Sequence, residues 1–143
     1  KVGYAFSDDW DEPALLRAAS TAAMIAQGQG SERSFPVSRV AVPSHYRVPT
    51  PLSDVEVSLK ASLLTRADQA ARAFDSRVTQ VNGVYVDQTR RIAVANTEGR
   101  YSEDTQDLCR MSIQVVAQGK KNERSTGSYG GGGRVPFTHW ATF

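Results

Sequence analysis

Apolar positions recur at helical spacing in the first half of the chain and alternate with polar ones in the second, so the chain reads as helices followed by strands. Leu15, Leu16, Ala19, Ala22, Ala23 and Ala26 return every three to four residues, the signature of one helix face. Asp11 stands where an N-cap belongs, Glu12 and Pro13 suit a first turn, and Gly28 is the expected stop. Upstream, Val2, Gly3, Tyr4, Ala5 and Phe6 predict a short strand that opens without a preceding turn, as though its domain began further upstream. A second stripe, Val55, Leu59, Leu63, Ala67, Ala70 and Phe74, predicts a helix over 54–74, with Ser53 and Glu56 spaced as a capping box. The intervening 29–51 stretch holds four prolines and no period, so it reads as a loop or extended connection with one strand at 40–42.

After Phe74 the texture changes to β-branched residues with polar partners. Strands are expected at 77–87, 91–95, 100–105, 108–118 and 122–129, with turns at 88–90, 96–99, 106–107 and 119–121. Met111, Ile113 and Val115 alternate with Ser112 and Gln114, which predicts one buried and one wet face. The fold class is therefore α+β: an antiparallel sheet of about five or more strands covered by two amphipathic helices.

A length of 143 residues suits a single domain with one core. Seventeen basic and fifteen acidic residues are spread along the chain, leaving no strong field to attract nucleic acid, and no apolar run is long enough to cross a bilayer. Cys109 is the only cysteine, which excludes an internal disulfide and suits a reducing cytoplasm; its alternating surroundings predict a small packed side chain. The two histidines, His45 and His139, lie in different segments without the partners that a zinc site requires, and there is no Gly-x-Ser-x-Gly or His-Glu-x-x-His motif. No catalytic, metal-binding or cofactor-binding residue is assigned. The distinctive feature is Gly130, Gly131, Gly132 and Gly133, followed by Arg134 and an aromatic tail. A phosphate loop would need Lys-Ser/Thr and a helix after it, and neither follows. The run reads either as a hinge or as a place where another backbone passes too close for a Cβ; in the second case Gly130–Gly133 contact a peptide or a neighbouring domain, and Arg134 holds a carboxylate.

Several stretches, taken in order, resemble the TldD/PmbA family, also labelled modulators of DNA gyrase. These are residues 2–9 and 13–19, the junction at 68–78, the Asn-x-Glu-Gly turn within 92–99, and above all 111–117 followed by Glu123 to Arg134. The resemblance implies the N-terminal, non-catalytic part of a zinc metallopeptidase, with both ends of that domain lying outside the chain. Family zinc is held by a His-Glu-x-x-x-His motif and a later cysteine downstream of the glycine-rich segment, so zinc is expected in a separate catalytic domain and this chain alone is expected to be inactive. The implied partners are that catalytic domain, a second like or related subunit and an unfolded or precursor peptide, in the cytoplasm. The alternatives are a stand-alone binding module with a protein or nucleic-acid partner, as the gyrase label suggests, and a small hydrolase, which no constellation supports.

Overall fold

The computed structural model describes residues 1–27, 36–43, 45–46 and 48–142. The chain divides into two compact units, Lys1–Pro36 and Val37–Phe143.

The first unit is built on α1 (Glu12–Ile25). Asp11 caps it as expected, its Oδ1 accepting the Ala14 N–H at 2.7 Å. The helix ends two residues before a left-handed Gln27 at φ 60°, while the expected stop, Gly28, lies outside the described residues. The inward face differs from the expected one. Ala14 is buried and Ala18, Ala22 and Ala26 are half-buried, whereas Leu15 and Leu16 are 49% and 60% exposed. Small residues face inward because backbone lies against them: a Cβ on Gly3 would fall 1.7 Å from the Ala22 carbonyl oxygen. Residues 2–6, expected as a strand, pair with no other strand among the described residues.

The second unit is a four-stranded sheet with β3 at its centre. Its strands are β1 (Ser38–Arg39), β2 (Val78–Ala95), β3 (Arg100–Gln118) and β4 (Arg124–Gly133). β2 runs antiparallel along one side of β3; on the other side β1 pairs in parallel at Arg100 and Tyr101, and β4 pairs antiparallel over the C-terminal half. The α+β class is as the sequence indicates, with four strands rather than five or more.

The difference arises because the expected turns at 88–90 and 106–107 do not exist. Both polar stretches continue a single ribbon in which Thr89 opposes Asp107 and donates to its Oδ1 at 2.6 Å. Polar residues there mark a hairpin wet on both faces rather than a change of direction. The turn at 96–99 is real: Asn96 Oδ1 accepts the N–H groups of Glu98 and Arg100, each at 3.1 Å, and Gly99 takes φ 79°. The turn at 119–121 is also present, as a 3₁₀ turn over Lys120–Asn122. β1 falls at 38–39 rather than 40–42. It is fixed by Ser38 N–H to Gly99 O and Val40 N–H to Tyr101 O, both 2.8 Å, and by the Arg39–Glu103 ion pair.

α2 (Val57–Phe74) starts three residues later than expected. The capping box does not form, because Ser53 sits in a 3₁₀ turn over Leu52–Asp54 and gives its hydroxyl to Asp54 Oδ1. The buried stripe is Lys60, Leu63, Leu64, Ala67 and Ala71, turned away from Leu59, Ala70 and Phe74, which are exposed. The Lys60 ammonium takes its place in that stripe by pairing with Asp87 at 2.6 Å and donating to the Leu52 carbonyl at 2.8 Å. At the far end Asp75 accepts the Arg77 backbone N–H and pairs with its guanidinium at 2.6 Å. That guanidinium holds the Asp75 carboxyl down at about 2.

The core is Leu52, Leu63, Cys109, Met111 and Trp140, with Leu64, Ala67, Tyr85, Ile113, Val135 and Phe137 packed around it. α2 covers the face shared by Gly83, Tyr85, Met111 and Ile113: a Cβ on Gly83 would come within 3.2 Å of Leu64 and 3.1 Å of Ile113. Ile113→Ala should therefore lower the unfolding free energy by about 2 kcal/mol, while Gln114→Ala on the opposite face stays within about 0.5 kcal/mol. Equal midpoint shifts in urea denaturation would contradict this strand phase.

Candidate functional site

The glycine run is neither a hinge nor a loop, because all four residues belong to β4. Gly133 pairs with Cys109, Gly132 with Arg110, Gly131 with Met111 and Gly130 with Ser112. The close backbone is that of β3: a Cβ on Gly132 would lie 2.2 Å from the Cys109 carbonyl oxygen and 2.7 Å from Arg110 Cα, and φ at Gly132 is +155°. On the other face the Trp140 ring lies over Gly131, with Cη2 4.0 Å from where a Cβ would stand. Beside the run is a crevice of about 450 Å³ lined by Asp87, Cys109, Arg110 and the backbone of Gly131, Gly132 and Gly133.

β4 has a second edge, turned away from β3. Among the described residues no strand pairs with it. From Ser125 to Gly133 it carries no charge and no proline, the devices that usually protect an open edge. The side chains there are exposed and mostly small.

Arg134 follows directly and is committed within its own chain. Its Nη2 reaches both Asp104 carboxylate oxygens at 3.4 Å and the Thr105 carbonyl at 3.3 Å, and its guanidinium carbon lies 5.5 Å from the Tyr46 ring centroid. A hydrogen bond from Gln106, with help from Arg134, holds the Asp104 carboxyl below its usual range. The carboxylate held by Arg134 is thus Asp104, which fastens the end of β4 to the hairpin.

Beneath β4 lies a polar cluster that the sequence did not single out. Cys109 is buried, donates to the Val135 carbonyl at 3.7 Å and accepts the Trp140 indole N–H at 3.4 Å. The Tyr85 hydroxyl is buried without a hydrogen-bond partner among the described residues, and burial, reinforced by Cys109 and Asp87, pushes its ionisation up. Tyr85 is anchored by an edge-on contact with Phe137, 5.9 Å between centroids.

A model of the PmbA/TldA metallopeptidase central domain matches residues 50–142. The chain belongs to the TldD/PmbA metallopeptidase family. Residues 50–142 are thus a central domain, rather than part of the N-terminal one. The "Metalloprotease TldD homolog" of Haemophilus influenzae is 32% identical over 136 residues, covering 94% of this chain and 28% of that protein. The proteins of the same name from two Buchnera aphidicola subspecies, Acyrthosiphon pisum and Schizaphis graminum, are 30% and 28% identical over 95% and 99% of the chain. The chain spans less than a third of the length of these relatives.

A metal of the kind that the family name implies does not fit the donors among the described residues. The Cys109 sulfur is taken up by Trp140 and Val135, and His139 stands edge-on to Trp140 at 5.1 Å. No group of three or more His, Cys, Asp or Glu side chains converges among the described residues. No helix among them is long and apolar enough to cross a membrane.

Proposed function

We propose that the Val37–Phe143 unit is a substrate-gating and assembly domain of a zinc-dependent peptidase, in which β4 takes up an unfolded or precursor peptide as an added strand. The observation that carries this reading is the open edge of β4, ten residues long and unguarded from Ser125 to Gly133. An extended peptide laid against it gains main-chain hydrogen bonds whatever its sequence. In such a ladder each peptide side chain sits about 5 Å from its β4 neighbour, so glycine and serine neighbours discriminate little between sequences. That tolerance suits a peptidase acting on unfolded chains. The same proposal places the zinc in another part of the full-length protein, pairs the subunit with a like or related one, and locates the assembly in the cytoplasm.

Blocking the edge in the full-length protein tests the reading. Of two consecutive residues in an edge strand, one N–H faces the neighbouring strand and the other faces out, and proline removes it. Ser128→Pro and Tyr129→Pro should therefore differ. One destabilises the sheet; the other melts like the parent and retains its zinc, yet loses most binding of a labelled unstructured polypeptide and most cleavage. A variant that folds normally, with proline at the outward position, and still binds and cleaves at the parent rate would overturn the proposal.

A further inference from the structure

A second concave surface of the Val37–Phe143 unit has no part in the strand-edge reading and does not depend on it. It is a groove of about 450 Å³ between the N-terminal end of α2 and the 3₁₀ turn that begins at Phe137. Val55, Leu59, Pro136 and Phe137 give it an apolar lining, and Asp54 and Glu56 are the charged residues in its wall, with no Lys or Arg among them. Neither carboxylate belongs to an ion pair with a described residue. Acidic residues at a helix start usually cap it, but Glu56, at the N-cap of α2, makes no capping hydrogen bond, and among the described residues the Asp54 carboxylate receives only the Ser53 hydroxyl. Leu59 is 52% exposed at the groove.

The walls are fixed before any ligand arrives. Leu52, fully buried, pins one wall, and Lys60 ties its carbonyl to α2 at 2.8 Å. Phe137 is locked edge-on against Tyr85 on the other. A preformed apolar hollow with charges of one sign in its wall is the form of a selective site, because little ordering is needed on binding and the charges select the partner.

We propose that this groove docks a basic, apolar peptide segment, seating a bulky side chain on Leu59 and Phe137 and a neighbouring Lys or Arg against Asp54 and Glu56. The sequence-blind edge of β4 is thereby complemented by a surface that reads charge and bulk.

The test uses the full-length protein and three labelled heptapeptides: alternating lysine and leucine, alternating glutamate and leucine, and alternating lysine and serine, followed by fluorescence anisotropy at low salt. The lysine–leucine peptide should bind best, with the lysine–serine peptide weaker by about tenfold or more. Asp54→Lys/Glu56→Lys should weaken the lysine–leucine peptide by a similar factor and create binding of the glutamate–leucine peptide, a gain that only a folded groove can show. The outward-facing β4 proline variant should leave this charge preference intact, which separates groove from edge. The proposal is overturned if the lysine–leucine peptide does not bind, if charge reversal leaves the preference unchanged, or if the lysine–serine peptide binds equally well.

Discussion

Gly132→Ala is expected to destabilise the Val37–Phe143 unit by about 3 kcal/mol or more, while Gly131→Ala is close to neutral. The two residues are neighbours in one strand, so chain entropy treats them alike and only their surroundings differ. A Cβ on Gly132 would stand 2.2 Å from the Cys109 carbonyl oxygen and 3.0 Å from its carbon, both backbone atoms of the central strand. Those atoms cannot rotate aside as a side chain would; β3 and β4 would have to part, and the pairs from Gly133 back to Gly130 are the ones at risk. The φ of +155° at Gly132 adds backbone strain for any residue with a Cβ. At Gly131 the nearest atom is Trp140 Cη2 at 4.0 Å, an ordinary contact, and alanine also reduces the freedom of the unfolded chain, a gain of about 0.4–1 kcal/mol where the conformation allows it. Urea denaturation of the two variants is the measurement. Equal midpoints would mean that the glycines serve composition rather than contact.

That contrast bears on what the sequence discloses. The run of glycines stood out because each costs unfolded-state entropy, and a close backbone was among the readings it allowed. The identity of that backbone was not legible, since nothing local to 130–133 says that Cys109 and Arg110 lie opposite. The phase of β3 was legible, because Met111 and Ile113 alternate with Ser112 and Gln114 over a half-buried sheet. Its length was not: Gln88 to Arg91 and Asp104 to Asp107 are polar, as turns are, yet here they are polar because the outer hairpin is wet on both faces. The expected face of α2 holds at Leu63 and Ala67 but lies one position off beyond them, where Lys60 and Ala71 turn inward in place of Leu59 and Ala70. Its true stripe includes Lys60, whose charge disguises a core-facing position that only Asp87 and the Leu52 carbonyl make tolerable. Leu52 itself sits next to a proline-rich stretch with no period, so its complete burial comes from long-range packing that periodicity cannot report. The Asp11 cap and the Asn96–Gly99 turn were legible for the opposite reason, being local hydrogen-bonding devices. Of the candidate site, the strand edge and the Asp104–Arg134 pair depend on which strands become neighbours, and the groove carboxylates looked like helix-start residues.

Trp140→Ala is expected to cost about 3–5 kcal/mol, and with it the order of the segment that follows β4. Trp140 is 5% exposed and belongs to the buried cluster with Leu52, Leu63, Cys109 and Met111, so its removal leaves a large void between α2 and the sheet. Its indole N–H also reaches the Cys109 sulfur at 3.4 Å, and its ring lies over Gly131 at the foot of the glycine run. Trp140→Phe is the milder change: it keeps an aromatic ring but loses the donor and three ring atoms from a packed site, so a loss of about 1–3 kcal/mol is expected, one hydrogen bond plus a small cavity. Thermal unfolding ranks the two variants, and the reaction rate of Cys109 with a thiol reagent gives an independent reading. The thiol is buried in the parent and should react slowly there, fastest in Trp140→Ala and at an intermediate rate in Trp140→Phe. Because the Trp140 ring packs over Gly131 of β4, Trp140→Ala should also weaken peptide capture at the β4 edge in the full-length protein, under conditions where the variant remains folded. Unchanged thiol reactivity together with an unchanged melting point would show that Trp140 is not the residue that pins β4 to the core.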